Sequence, residues 1–177
     1  MISKQLNELQ RYLIKLVNSR HYSKYLLTFN VIVISHFAEH VAQIIQLYIL
    51  HWERKQSLGL LGLWQSWLVH SEWLHYSHAL FMLVGLYLLG FSVVGRAKSW
   101  WSTAVALAFY HHIEHFIILS QAIAHYNLFN SPTPTSIVQA MGVPRIELHF
   151  FYNLIVLVPM LVSLYISKQQ SKYVNCK

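Results

Sequence analysis

Cysteine is nearly absent from this sequence: Cys176, one residue from the end, is the only one. Neither a disulfide framework nor a thiolate cluster can be built from it, so any bound metal must be held by nitrogen and oxygen. Aspartate is missing altogether, and the six acidic residues are all Glu. Charged residues make up 11% and hydrophobic residues 55%, far from the ~25% charged that a soluble domain carries. A soluble globular core is excluded on that balance. A cleavable signal pattern is lacking too, because the first apolar run begins only near Leu26 and no small-residue cleavage site follows it. The first span is therefore expected to act as its own anchor.

What is present is apolar sequence in long stretches. Leu26–Leu50, His75–Gly95, Trp100–Ala124 and Leu148–Ile166 each approach the ~20 residues that cross a bilayer. The formal charge of +7 would suggest nucleic acid in a soluble protein, but its placement argues against that partner. Lys4, Arg11, Lys15, Arg20, Lys24, Arg96, Lys98, Lys168, Lys172 and Lys177 fall on one side of the spans, and only Arg54, Lys55 and Arg145 on the other. The positive-inside rule then predicts a multi-pass integral membrane protein with both termini cytoplasmic, and the basic face also suits anionic lipid. Leu6, Leu9, Leu13, Leu16 and Val17 recur at helical spacing among polar residues, which reads as an N-terminal amphipathic helix on the membrane surface.

Two segments repeat. His36-Phe-Ala-Glu39-His40 returns 75 residues later as His111-His-Ile-Glu114-His115, with Gln46 and Gln121 at the same offset. In each copy another Glu follows 33 residues after the first, at Glu72 and Glu147. The expected fold is all-α: four transmembrane helices arranged as two tandem-duplicated helical hairpins, a parallel repeat about an axis along the membrane normal. Residues 1–24 form the cytoplasmic amphipathic segment, 25–95 and 96–170 the two hairpins, and 171–177 a cytoplasmic tail. Leu60–Val69 and Ser136–Met141 read as short interfacial helices on the outer side, and Gly142 and Pro144 stop any helix before the fourth span. Trp52, Trp64, Trp67 and Trp73 mark the outer boundary, Trp100 and Trp101 the cytoplasmic one.

On helices, His36, Glu39 and His40 share one face, as do His111, Glu114 and His115. Ionisable groups at membrane depth cost at least ~2.5–3.5 kcal/mol each, so they are expected to face the bundle interior and be neutralised there. Counted at ~1.5 Å per residue from the cytoplasmic cations, these residues, His78, His149, Glu72 and Glu147 occupy a layer about 10 Å thick, displaced toward the outer face. Glu72-x-x-His75-x-x-His78 adds two more imidazoles, and His149 lies two residues after Glu147. The copies have diverged, since Phe150 and Asn153 stand where His75 and His78 stand in the first. His51, His70 and His125 are read as solvated, His112 as packed and His21 as a surface residue.

The candidate metal ligands are thus His36, Glu39, His40, Glu72, His75, His78, His111, Glu114, His115, Glu147 and His149. Gln46 and Gln121 are expected to support them. Imidazole with carboxylate suits a dinuclear centre of Fe, preferred over Zn, Cu or Mn. The Glu72/His75 spacing resembles that of four-helix di-iron carboxylate bundles. His36/His40 and His111/His115 resemble the H-x-x-x-H boxes of membrane histidine-box desaturases and hydroxylases, although the H-x-x-H-H boxes of that group are absent. Both resemblances cover single turns. A redox metal buried at membrane depth would suit a membrane oxidoreductase acting on a lipid-soluble, apolar small-molecule substrate, because the bilayer delivers such a substrate together with O₂. The alternatives are a divalent metal or proton transport protein, which would be expected to form a homo-oligomer, a b-type haem protein with His36/His111 or His40/His115 as axial pairs, and a metal-free polar network.

Overall fold

The computed structural model describes Tyr12 and residues 21–175, with side chains to residue 170. Apart from Tyr12 and residues 21–24, the expected N-terminal amphipathic helix lies outside the described residues, as do the side chains of the 171–177 tail. The described chain is helical without a strand. Long helices α1 (Tyr22–Tyr48), α4 (Glu72–Leu89), α5 (Arg96–Ala124) and α7 (Arg145–Asn175) are joined on one side by short helices α2 (Gly59–Trp64), α3 (Ser66–His70) and α6 (Ile137–Ala140). The short helices fall where loop-side helices are expected.

The helix ends follow local chemistry. The Ser71 side chain caps α4 by accepting from the Leu74 amide, and Glu72 sits in its first turn, where the helix dipole favours a carboxylate. Ser136 caps α6 in the same way, accepting from the Gln139 amide. α5 ends at His125, which takes the left-handed conformation. It starts at Arg96, so the turn between α4 and α5 is Gly90–Gly95.

Three helices, Tyr22–Ile49, Glu72–Ser92 and Arg145–Gln170, are long and apolar enough to cross a membrane. α5 is 29 residues long, but His111, His112, Glu114 and His115 interrupt its apolar sequence, and it is the central helix. It packs most extensively on α7 and next on α4, while α1 leans on α7 and meets α4 only sparsely. Around the outside Leu27, Val31, Ile34, Phe109, Phe116, Ile123, Val158 and Leu161 are exposed, an apolar perimeter suited to lipid rather than water.

The interior has two storeys. Near the Gly90–Gly95 turn it is apolar, built on Phe29, Met82, Leu86, Trp101, Val156 and Met160. Ala97, Ala104 and Ala108 keep one face of α5 thin, so the neighbouring helices approach closely. Trp101, expected at a membrane boundary, is 1% exposed and donates its indole N–H to the Leu86 carbonyl at 2.7 Å. Gly85 admits the Phe29 ring, because a Cβ there would overlap it. Toward the short helices the interior turns polar, and the repeated motifs lie there.

Candidate metal centre

Residues three and four apart share a helix face, so α1 presents His36, Glu39, His40 and Gln43 together, α4 His75 and His78, and α5 His111, Glu114 and His115. α7 adds His149. The rings form one continuous cluster. His78 stacks on His36 with centroids 3.6 Å apart, and His36 meets His40 edge-on at 4.6 Å. His40 lies 5.6 Å from His149, His149 5.0 Å from His115, and His115 4.6 Å from His111. His75 closes the set, 5.9 Å from His115 and 5.5 Å from His149.

The two repeated pairs are near copies in geometry. His36/His40 cross at 84° and His111/His115 at 86°, each with centroids 4.6 Å apart. The Nε2 atoms of His36 and His40 are hydrogen bonded 3.0 Å apart, with His36 donating because His40 gives its Nδ1–H to Gln43. Two nitrogens each ~2.1 Å from one ion and at right angles would be about 3.0 Å from each other.

Three rings are held from behind. His40 donates Nδ1–H to Gln43 Oε1 at 2.9 Å, His75 to the Ser71 carbonyl at 2.8 Å, and His149 to the Arg145 carbonyl at 2.8 Å. Each bond fixes the tautomer and leaves Nε2 as the lone-pair nitrogen, the form in which imidazole binds a metal.

The carboxylates are placed differently from the rings. Glu72 is held by both terminal nitrogens of Arg145 at 2.7 Å. Glu147 is held by Arg54 at 2.6 and 2.7 Å and by the Tyr48 hydroxyl at 2.6 Å. The Glu147 carboxylate in turn raises the Arg54 guanidinium above its ordinary range. Each of these Glu, 75 residues apart, is thus clamped by an Arg from the opposite half of the chain. Glu39 accepts from the Leu61 amide at 2.6 Å and so caps α2, and its carboxylate lies where a Cβ on Gly59 would be. Gly59 has φ +75°, which compounds the demand for glycine. Glu114 is buried and accepts only from the Tyr110 hydroxyl, at 3.3 Å.

Gln46 and Gln121 support the site indirectly. The Gln46 amide donates to the Gly59 carbonyl and accepts from its N–H, at 3.2 and 2.8 Å. Gln121 does the same to Thr135, at 2.7 and 3.3 Å, and also accepts from the Leu128 amide. Both residues tie an outer loop down over the cluster, and neither bonds to a histidine.

Three cavities reach the rings. The largest, about 540 Å³, opens among Arg54, Lys55, His70 and Arg145 and descends to His40, His75 and His149. A second, about 200 Å³, lies along Leu61, Leu68, Val69 and Leu74 where α1 and α4 part, and ends on His36 and His78. The third, about 10 Å³, is bounded by His111, Glu114, His115 and Tyr152.

Among the described residues no three His, Cys, Asp or Glu side chains converge as a ready-made ion cage. The donor set nevertheless suits a transition metal, because the cluster is imidazole throughout and His78 Nε2 and His111 Nδ1 are buried without partners among the described residues. His112 packs on Tyr76 at 5.1 Å, off the cluster. No family model, curated protein or solved structure matches the chain.

Arg54 and Arg145 read in the sequence as markers of topology, and their clamping of Glu147 and Glu72 went unseen. The signal for it was their isolation: with Lys55 they are the only Lys or Arg expected outside, in a layer that also holds two unneutralised Glu. Gln43, three residues beyond His40, is visible in the motif, but its role as the ring's anchor requires the geometry.

Proposed function

We propose that this chain is a four-span membrane protein whose histidine cluster binds a pair of first-row transition-metal ions, with Fe favoured, and serves the oxidation of a lipid-soluble substrate. The observation that carries the proposal is the matched ring geometry of His36/His40 and His111/His115, two i, i+4 imidazole pairs in one cluster. Glu72 and Glu147 and the loop-clamping Gln46 and Gln121, each pair 75 residues apart and each doing one job twice, support a duplicated hairpin as the ancestor. When bound, such a metal pair supplies redox chemistry. The chain's own residues orient the ligands through Gln43 and the Ser71 and Arg145 carbonyls. They tie two loops down beside the cluster, and they leave an apolar passage beside Leu61, Leu68, Val69 and Leu74. That passage faces the sparsely packed α1–α4 side, where an apolar substrate would arrive from the bilayer.

Metal analysis by mass spectrometry on protein purified without chelator tests the proposal. The expected result is about two ions per chain, the occupancy of a dinuclear site. Protein free of both metal and haem would refute it, and a Soret band would move the assignment to haem electron transfer. The outer cavity favours a second reading, uptake of divalent metal. Against that reading, the cavity lining carries Arg54, Lys55 and Arg145 and no carboxylate, which is poor chemistry for collecting cations.

The cation distribution supports cytoplasmic termini. Cys176, the lone thiol, gives a direct check. In sealed right-side-out vesicles a membrane-impermeant maleimide should label it only after permeabilisation, and labelling of intact vesicles would reverse the topology.

A further inference from the structure

The two histidine pairs differ in what stands behind them. Gln43 holds His40 Nδ1 in the first. At the same offset the second pair has Ile118, and His115 Nδ1 has no partner. Around the 10 Å³ cavity stand three more buried polar atoms in the same state, His111 Nδ1, Glu114 Oε2 and Gln139 Oε1, together with the Tyr152 hydroxyl, whose other neighbour is Tyr110. Leaving buried polar atoms unbonded is costly, and four at one spot point to a shared partner. The cavity is about the size of one water, which needs ~10–15 Å³ and two to four polar neighbours.

We propose that a single ordered water, held by Glu114 and Gln139, occupies this cavity and does for His115 what the Gln43 amide does for His40. The atoms fit a four-bonded water. Its two hydrogens go to the acceptors Glu114 Oε2 and Gln139 Oε1, and its lone pairs accept the His115 Nδ1–H and the Tyr152 hydroxyl. The His111 Nδ1 is the one atom left over. With Nδ1–H so engaged, His115 presents Nε2 as a lone pair, as His40, His75 and His149 already do. Glu114 and Gln139 are then positioning residues. Gln139 is itself set by the Ser136 cap on its backbone N–H at 3.2 Å. The short helix α6 thereby becomes part of the centre, a role that its sequence does not suggest. In relation to function the inference rests on the metal-centre proposal, but the water and the tautomer are tested without it.

The test is the tautomer of His115, read by ¹⁵N NMR on full-length, ¹⁵N-histidine-labelled protein in lipid nanodiscs after chelation, with the signal assigned by its loss in His115→Gln. The expected result is the Nδ1–H form in the unmodified protein. The Nε2–H form would overturn the inference with no variant needed. Gln139→Leu should shift His115 toward Nε2–H and weaken metal retention roughly tenfold, the low end for loss of a group that orients a metal-binding histidine. Ile118→Gln in that background should restore Nδ1–H, because residue 118 lines the same cavity. An unchanged tautomer in Gln139→Leu, or failure of Ile118→Gln to restore it, would overturn the proposal. Metal-free protein with the Nδ1–H form would sink the metal centre and leave the water site standing. Metal-loaded protein with the Nε2–H form would do the reverse.

Discussion

His40→Ala should strip the protein of its metal. His149 exceeds it in the number of its ring partners, but His40 belongs to the repeated pair whose two Nε2 atoms meet. His40 Nε2 lies 3.0 Å from His36 Nε2, its Nδ1 is anchored on Gln43, its ring faces His149, and it borders both larger cavities. Removing it breaks one chelating pair outright and disconnects the stack between α1 and α7. Gln43→Leu leaves the ligand but frees its orientation, and for such outer groups the loss is about 10–100-fold in affinity. The loss in His40→Ala should exceed that. Competition against a chelator of known affinity measures both. Glu39→Gln should keep the metal, because the Glu39 carboxylate is engaged by the Leu61 amide and an amide oxygen can accept that bond. Full metal retention in His40→Ala would dismantle the centre as drawn here.

Arg145→Met should be the most destabilising single change on the outer rim. The Glu72 side chain is 13% exposed and Arg145 30%, so removing the guanidinium strands a carboxylate with little water to take its place. For a part-buried pair the cost of breaking it from one side falls between the ~0–1 kcal/mol of an exposed pair and the ~3–5 kcal/mol of a buried one. The double variant Arg145→Met/Glu72→Gln should recover most of that loss, because the charge goes with its partner. Arg54→Met probes the corresponding clamp on Glu147, whose side chains are 49% and 22% exposed. Solvent screens that pair, and the expected cost is about 0–1 kcal/mol. Thermal unfolding in detergent ranks the three variants. Equal, small effects for Arg145→Met and Arg54→Met would show that burial does not separate the two clamps.

The long helices were legible because apolar runs and the 3.6-residue period are local properties, and the His pairs because i, i+4 spacing fixes a shared face. α7 outruns the apolar stretch ending at Ile166, since the Lys and Gln that follow are good helix formers that do not need burial. The Glu residues were legible only as part of the repeat. Where a carboxylate goes depends on which cation or amide the tertiary fold brings near, and Glu72 met Arg145 across 73 residues. Trp101 shows the same limit: its position beside Trp100 suggested an interface, yet helix rotation alone turned it into the core. Gln46 and Gln121 were correctly singled out by their offset, but a primary amide serves a backbone loop as readily as an imidazole.

The uneven packing among the long helices bears on the order in which the chain can assemble. α1 and α4 leave the ribosome first and meet each other only sparsely, while α5 and α7, made last, share the most extensive interface. The hairpin of α1 and α4 therefore has little to close on until α5 and α7 exist, and α1 reaches its resting place on α7, made after the other three long helices. Both arginine clamps also bridge early chain to late chain. Domains that complete as they are synthesised generally close from the N-terminus; here α1 must stay open until α7 has been made. Until then His36 and His40 wait without the rings that complete their cluster.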